Sequence, residues 1–142
     1  MSVFVDTNVL LRSVQPTHPL HVTAVRSVSS LLREGESLTV TPQIIAEFWN
    51  VATRPVTDNG LGFEHDVARG EVAKIEEFCS VVPESIDVYT EWKRVVSVHK
   101  VTGVQVHDAR LVAAMKVYGI DRILTFNESD FSRYLVTVIT PS

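Results

Sequence analysis

The sequence predicts an α/β domain with a mostly parallel central sheet flanked by helices, formed as a single domain by residues 1–142. Short apolar runs rich in β-branched residues, which are typical of buried parallel strands, alternate along the chain with segments of helical apolar spacing. That alternation is the pattern of an α/β fold. A length of 142 residues is that of one domain, and no repeat, low-complexity tract or linker divides the chain.

The first part of the chain predicts two strands, the first of which is followed by two helices. Residues 3–5 form the first strand, and a polar turn at Asp6 leads into a helix. Pro19 suits the first turn of the next helix, and Gly35 ends that helix. Residues 38–41 then form the second strand.

The rest of the chain continues the alternation. Thr41 caps and Pro42 begins the helix that follows the second strand, and a proline at position 55 ends that helix. Residues 55–62 form a turn-rich loop. The remaining predicted elements are a helix over 67–78, a short strand or extended link at 81–83, helices over 86–99 and 107–115, and strands at 123–126 and 136–139.

The charge and cysteine content exclude several classes of protein. The formal charge is −4, which is not the basic footprint of bulk nucleic-acid binding but leaves open a nuclease with acids concentrated in its active site. The single cysteine, Cys79, excludes a disulfide framework within the chain and a four-cysteine zinc site, and its surroundings predict a buried thiol within a helix. The sequence lacks an 18-residue apolar segment and a signal-peptide pattern, so we expect no membrane span and a cytoplasmic protein.

Four acidic residues fall where a parallel sheet binds its ligands, beyond the carboxyl ends of the strands. Asp6 directly follows the first strand, and Glu47 lies in the helix after the second strand. Asp108 lies in the first turn of a later helix, and Asp130 follows the strand at 123–126 by a short loop. Glu47 has mainly apolar neighbours, and carboxylates in apolar surroundings are rare unless they are paired or bind metal.

Taken singly, these acids have structural explanations. Asp6 fits a helix N-cap as well as a site residue, and Asp108 fits the acid that commonly stabilises a helix start. Taken together, four carboxylates with no basic partner repel one another, and a divalent cation relieves the repulsion. Ligands that are all oxygen favour Mg²⁺ or Mn²⁺, and such a site suits phosphodiester hydrolysis with one or two ions.

These acids and their neighbours resemble the PIN domain family, and within it the VapC-type toxin ribonucleases of toxin–antitoxin pairs. The resemblance covers essentially the whole chain. The segments that carry it are Val-Asp-Thr-Asn-Val-Leu at 5–10, Ala-Glu-Phe at 46–48, Thr-Arg-Pro at 53–55, Asn-Gly-Leu-Gly at 59–62, Val-His-Asp-Ala-Arg-Leu at 106–111 and Leu-Thr-Phe-Asn-Glu-Ser-Asp-Phe at 124–131.

The resemblance implies an endoribonuclease that depends on Mg²⁺ or Mn²⁺, with a homodimer and an inhibitory antitoxin as partners. The catalytic and metal-binding acids that it implies are Asp6, Glu47, Asp108 and Asp130. Glu47 would bind a second metal ion or orient the attacking water. The side chains implied to hydrogen-bond to these carboxylates are Thr7, Asn8, Thr125 and Asn127. Ordinary turn chemistry explains Thr7 and Asn127 equally well.

Candidate contacts to RNA phosphates are Arg12, Arg54 and Arg110, for each of which a solvated surface position is the simpler explanation. Two other functions compete with this one. A PIN-like module that binds RNA or protein with weak catalysis is the main alternative. A receiver-type phosphoacceptor domain would need paired acids after the first strand and an acceptor Asp at the end of a middle strand. The first strand here supplies only Asp6, and the second strand ends without an acid.

Overall fold

The computed structural model describes all residues from 1 to 142 and contains one five-stranded sheet flanked by six helices. The strands are β1 (Ser2–Val5), β2 (Ser37–Val40), β3 (Cys79–Val81), β4 (Arg122–Leu124) and β5 (Thr137–Ile139). The helices are α1 (Thr7–Ser13), α2 (His21–Arg33), α3 (Pro42–Thr53), α4 (His65–Phe78), α5 (Ile86–His99) and α6 (Gln105–Val117). Two short 3₁₀ segments are Val56–Asp58 and Glu128–Phe131. The predicted α/β fold is confirmed.

The strand order places β1 at the centre of the sheet. The order is β3-β2-β1-β4-β5, and all four neighbouring pairs are parallel. Phe4 lies opposite Thr39 of β2 on one side and Ile123 of β4 on the other. Strands β2 and β3 therefore lie on one side of β1, and strands β4 and β5 lie on the other. The strand order reverses between β1 and β4. In open α/β sheets this reversal opens a crevice at the carboxyl ends of the strands.

A single core of 31 buried apolar residues holds the sheet and helices together. The β1 residues Val3, Phe4 and Val5 are completely buried, as expected for a central strand covered on both faces. Helix α6 is buried along 111–115, so it lies inside the helical layer and contacts α5 over its length. None of the six helices has the length and hydropathy of a membrane-spanning segment.

Local sequence signals place the helix after β2. The Thr41 hydroxyl accepts a hydrogen bond from the amide of Ile44 at 3.3 Å, and Pro42 occupies the first helical position. Arg54, which precedes a proline, has extended backbone angles and ends α3. These three features agree with the predicted start and end of the helix, and together they fix the orientation of α3 relative to the sheet edge.

Two predicted positions are wrong. Pro19 does not lie in the first turn of α2, because that helix begins at His21 with Leu20 as its N-cap. Cys79 is buried, as predicted, but it begins strand β3 opposite Leu38 and does not continue helix α4. The predicted strand at 81–83 is correspondingly displaced toward the N-terminus. Its last ladder hydrogen bond runs from the amide of Val82 to the carbonyl of Val40, because Pro83 has no amide hydrogen to extend the pairing. Periodicity alone did not mark where the helix ends, because Cys79 is apolar enough for either element.

We expect Gly60→Ala to destabilise the fold and Gly70→Ala to stabilise it. A Cβ at Gly60 would lie 1.9 Å from the carbonyl oxygen of Arg54, so the loop after α3 would have to shift, at a cost of about 1–3 kcal/mol. A Cβ at Gly70 in α4 meets nothing within 4 Å, and alanine there gains about 0.5–1 kcal/mol of helix propensity. Thermal unfolding followed by circular dichroism measures both. Equal melting temperatures for the two variants would contradict this account of the loop.

Candidate active site

Asp6 lies at the point where the strand order reverses, and the fold holds both of its carboxylate oxygens. Its backbone amide donates to Leu124 at 3.0 Å, which extends the pairing of β1 and β4 by one residue. Oδ1 accepts from the amide of Thr7 at 2.8 Å and so caps α1. Oδ2 accepts from the hydroxyl of Thr125 at 2.7 Å and from the amide group of Asn8 at 3.3 Å. Asp6 is therefore both the helix cap and a fixed carboxylate in the crevice.

Thr125 joins the end of β4 to the start of α1. Its hydroxyl accepts from Asn8 Nδ2 at 3.1 Å and from the backbone amide of Asn127 at 3.0 Å, while donating to Asp6. Asn8 Oδ1 accepts from the amide of Phe126 at 3.2 Å. Thr125 and Asn8 thus touch the Asp6 carboxylate directly. Asn127 contributes only backbone contacts here, in keeping with turn chemistry.

Glu47 is held on both oxygens by neighbours from two helices. The Thr7 hydroxyl donates to Oε2 at 3.0 Å, and Gln43 Nε2 donates to Oε1 at 3.1 Å. Because Thr7 also donates its amide to Asp6, this one residue connects two of the predicted acids. Glu47 is half-buried on the inner face of α3.

Gln43 is a site residue that the sequence analysis missed. It is buried, and Nε2 donates to the carbonyl of His107 at 3.1 Å as well as to Glu47. Its backbone amide donates to Glu84 at 3.1 Å. Gln43 therefore connects α3 to α6 and to the segment before α5. The signal that could have found it is the four-residue spacing from Glu47, which places both side chains on one helix face.

Asp108 and Asp130 are the other two acids of the predicted site, and they add negative charge near Asp6 and Glu47. Asp108 is half-buried in the first turn of α6, and Asp130 is exposed in the 3₁₀ segment after β4. Burial, followed by the charges of Asp130, Asp6 and Glu47, raises the pKa of Asp108 to about 7. Burial also raises the pKa of Asp6, against the lowering effect of its hydrogen bonds from Thr125 and Thr7. The charges of Glu47 and Asp130 thus reach both Asp6 and Asp108 through space, and these four acids form the acidic cluster of the crevice.

The predicted arginines do not neutralise this cluster. Arg110 pairs with Glu84, Arg12 donates to Gln15 at 2.7 Å, and Arg54 donates to the carbonyl of Asn59 at 3.3 Å. No salt bridge involves any of the four acids. The chain therefore supplies no positive partner for these acids, and a cation from solution would be needed to balance their charge.

The donor set fits a hard divalent cation in its chemistry, although the side chains do not form a closed ligand set. All four candidate ligands are carboxylates, which Mg²⁺ and Mn²⁺ prefer. No group of three Asp, Glu, His or Cys side chains is close enough to hold one ion in the present rotamers. Hydrogen bonds hold Asp6 and Glu47 in place, so ligation of one ion by three or more of these acids would require side chains of the cluster to move.

Comparison with known proteins gives a family and a set of structural neighbours. The sequence matches the PIN domain family over residues 3–135. No curated protein sequence matches the chain. The fold is similar to that of VapBC2 from Rickettsia felis, solved with a promoter DNA fragment, with a TM-score of 0.75, 10% identity and both chains fully covered.

Two further neighbours have the same fold. One is VapC20 from Mycobacterium tuberculosis, a sarcin-ricin loop cleaving toxin, with a TM-score of 0.71, 19% identity and coverage of 94% of this chain and 96% of that one. The other is VapBC-1 from nontypeable Haemophilus influenzae, with a TM-score of 0.72, 13% identity and coverage of 99% and 98%. Since the family match extends over residues 3–135 of the 142, this chain belongs to the PIN domain family.

Proposed function

We propose that this protein is a divalent-metal-dependent endoribonuclease and the toxin of a VapBC-type toxin–antitoxin pair. The observation that carries the proposal is the uncompensated cluster of Asp6, Glu47, Asp108 and Asp130 in the crevice of a PIN fold. These acids come from four separate segments of the chain, so only the folded topology brings their charges together. A merely structural role would not require four mutually repelling carboxylates at one sheet edge.

The four acids are the residues that would hold Mg²⁺ or Mn²⁺. When bound, such an ion activates water and stabilises the negative charge that develops at the phosphate. The chain itself fixes the geometry of the site: Thr125 and Thr7 hold Asp6, while Gln43 holds Glu47. The metal-free acids would repel an RNA backbone, so we expect RNA binding at the crevice to depend on the cation.

The antitoxin and the second protomer are part of the same proposal. Among the structural neighbours are complexes of VapBC and FitAB type, which support an antitoxin partner. Helix α2 carries the exposed apolar side chains Val22, Val25 and Leu32, which suit burial against a protein. An antitoxin arginine would pair with the same carboxylates that bind metal. A toxin acting on cellular RNA would work in the cytoplasm.

The first test is cleavage of total cellular RNA by the purified protein, with EDTA or with added Mg²⁺ or Mn²⁺. We expect cleavage only with metal, and its loss in Asp6→Asn, because the amide cannot supply the missing charge. Asp66→Asn is the matched control, since the Asp66 side chain is 82% exposed in α4 and far from the cluster in sequence. Cleavage that persists in EDTA or in Asp6→Asn would contradict the proposal.

The same assay discriminates the main alternative. A folded protein that binds RNA, fails to bind Mg²⁺ or Mn²⁺ by calorimetry and cleaves nothing would be a PIN-like binding module. The observation that would favour this alternative is the absence of a closed set of metal ligands in the present rotamers.

Thr125→Val tests whether orientation of Asp6 matters. Valine keeps the shape of threonine but removes the hydroxyl that donates to Asp6 Oδ2 at 2.7 Å. Loss of such a partner typically lowers metal affinity or activity by about 10- to 100-fold, and we expect a decrease of that size in the RNA cleavage rate. Thr125→Ser retains the hydroxyl and should recover most of the activity. Equal rates for the two variants would show that this hydrogen bond does not position Asp6.

In the metal-free protein, we expect the acidic cluster to reduce the free energy of unfolding more at pH 8 than at pH 5. The folded-state pKa of Asp108, about 7, lies above the ordinary value of 3.8, so the folded protein binds the proton more tightly than the unfolded chain does. The free energy of unfolding therefore falls as the pH rises from about 4 to 7.

Urea unfolding in EDTA at several pH values measures this dependence. Asp108→Asn should reduce the pH dependence and raise stability at pH 8. Added Mg²⁺ or Mn²⁺ should raise wild-type stability at pH 8 by binding the folded state. A pH dependence that is the same in wild type and Asp108→Asn would contradict the assignment.

A further inference from the structure

We propose that a cavity beside the acidic cluster, between the start of α5 and α6, binds one nucleobase of the RNA substrate. The proposal rests on the function proposed above and adds a specificity site to it. The cavity has a volume of about 500 Å³, within the range of small-molecule sites. Its walls combine the aromatic residues Tyr89 and Trp92 with the polar residues Glu84, His107 and Arg110.

The cavity is connected to the acids through Gln43. Glu84, on the cavity wall, accepts from the backbone amide of Gln43, and the carbonyl of His107, also on the wall, accepts from its side chain. The same Gln43 side chain donates to Glu47. His107 directly precedes Asp108 in α6. A base in the cavity would therefore hold the neighbouring stretch of RNA backbone at the acidic crevice.

The aromatic walls suit stacking. The Trp92 indole is fixed by a hydrogen bond of 2.8 Å from Nε1 to the carbonyl of Val106. The ring centroids of Tyr89 and Trp92 are 6.2 Å apart with the planes inclined at 31°, and the Tyr89 side chain is exposed. Single-stranded RNA is commonly bound by stacking its bases on such side chains.

The polar groups favour a base over a purely apolar ligand. Glu84 and Arg110 form an ion pair at the cavity wall, which places a hydrogen-bond acceptor beside a donor. Guanine is the best chemical match, because it offers O6 and N7 to a guanidinium and N–H groups to a carboxylate.

Two other cavities have nearly the same volume but lack this connection. One lies between α2 and α4 and is lined by residues such as Val25 and Ile75. The other is lined mainly by polar residues of α5 and α6, including Glu91 and Lys116. No lining residue of either cavity hydrogen-bonds to the four acids or to Gln43.

The binding test uses guanosine 5′-monophosphate at millimolar concentration and ¹H–¹⁵N NMR of the intact protein. The chain has two tryptophans, and Trp49→Phe assigns the Trp92 indole signal. We expect the ligand to shift the Trp92 signal and to leave the Trp49 signal, which belongs to a ring packed on His65, in place. Adenosine, cytidine and uridine monophosphates test the preference for guanine.

Substitutions of Tyr89, the exposed aromatic residue of the cavity wall, test whether the nucleotide binds in this cavity. Tyr89→Ala should weaken guanosine monophosphate binding by roughly 5- to 150-fold, the range that corresponds to stacking energies of ~1–3 kcal/mol per base. Tyr89→Phe keeps the ring and should bind like wild type. Val98→Ala is the control on the same helix, since Val98 is exposed and does not line the cavity.

The outcomes separate this proposal from the proposed nuclease function. An unchanged Trp92 signal with intact RNA cleavage would overturn the base site and leave the nuclease proposal standing. A Trp92 shift that Tyr89→Ala abolishes, in a protein that cleaves no RNA with any metal, would support the base site and overturn the nuclease. Equal binding of all four nucleotides would keep the base site and overturn the guanine preference. Asp6→Asn should bind the nucleotide like wild type while losing cleavage.

Discussion

The position of Asp6 is the constraint on which the rest of the structure depends. Strand β1 pairs with a neighbour on each side and is buried from Val3 to Val5, so the residue that follows it emerges where the strand order reverses. There Asp6 caps α1 and accepts the hydroxyl of Thr125 from the end of β4. One carboxylate thus joins a strand, a helix and the neighbouring strand. Moving it would disturb the core, and this rigidity suits a group that must meet a ligand in a fixed geometry.

The acidic cluster around Asp6 lowers the stability of the fold, and no basic side chain of the protein compensates for it. Burial and mutual repulsion raise the pKa values of Asp6 and Asp108, while Arg110, two residues from Asp108 in α6, pairs with Glu84 instead. Gln43 adds a second unfavourable feature: its Nε2 donates both hydrogens, but its buried Oε1 has no hydrogen-bond partner. Proteins keep such locally unfavourable arrangements mainly at functional sites. This agreement between two independent features strengthens the assignment of the crevice as the active site.

The sequence predicted most of the fold because its signals were local. The apolar runs, the Thr41 cap and the prolines specify elements through neighbours a few residues away. Cys79 was misplaced because an apolar residue at a helix–strand boundary fits both periodicities. Gln43 was missed because its meaning depends on His107, which is 64 residues away in the chain. Asn127 has no side-chain contact with the acids, because the turn after β4 uses its backbone amide. Local pattern cannot decide contacts of these kinds.

In the proposed endoribonuclease, the acids and the neighbouring cavity would divide the work of the site. Carboxylates with a cation act on the phosphate, which is the same at every nucleotide, so they cannot distinguish one RNA sequence from another. Discrimination needs contacts to base edges and faces, and the aromatic wall formed by Tyr89 and Trp92 offers them beside the cluster. Gln43 contacts both Glu47 and the residue His107 of the cavity wall, so one buried amide links the two parts of the proposed site. In the proposed enzyme, selection of the substrate and alignment of the acids would be coupled through that amide.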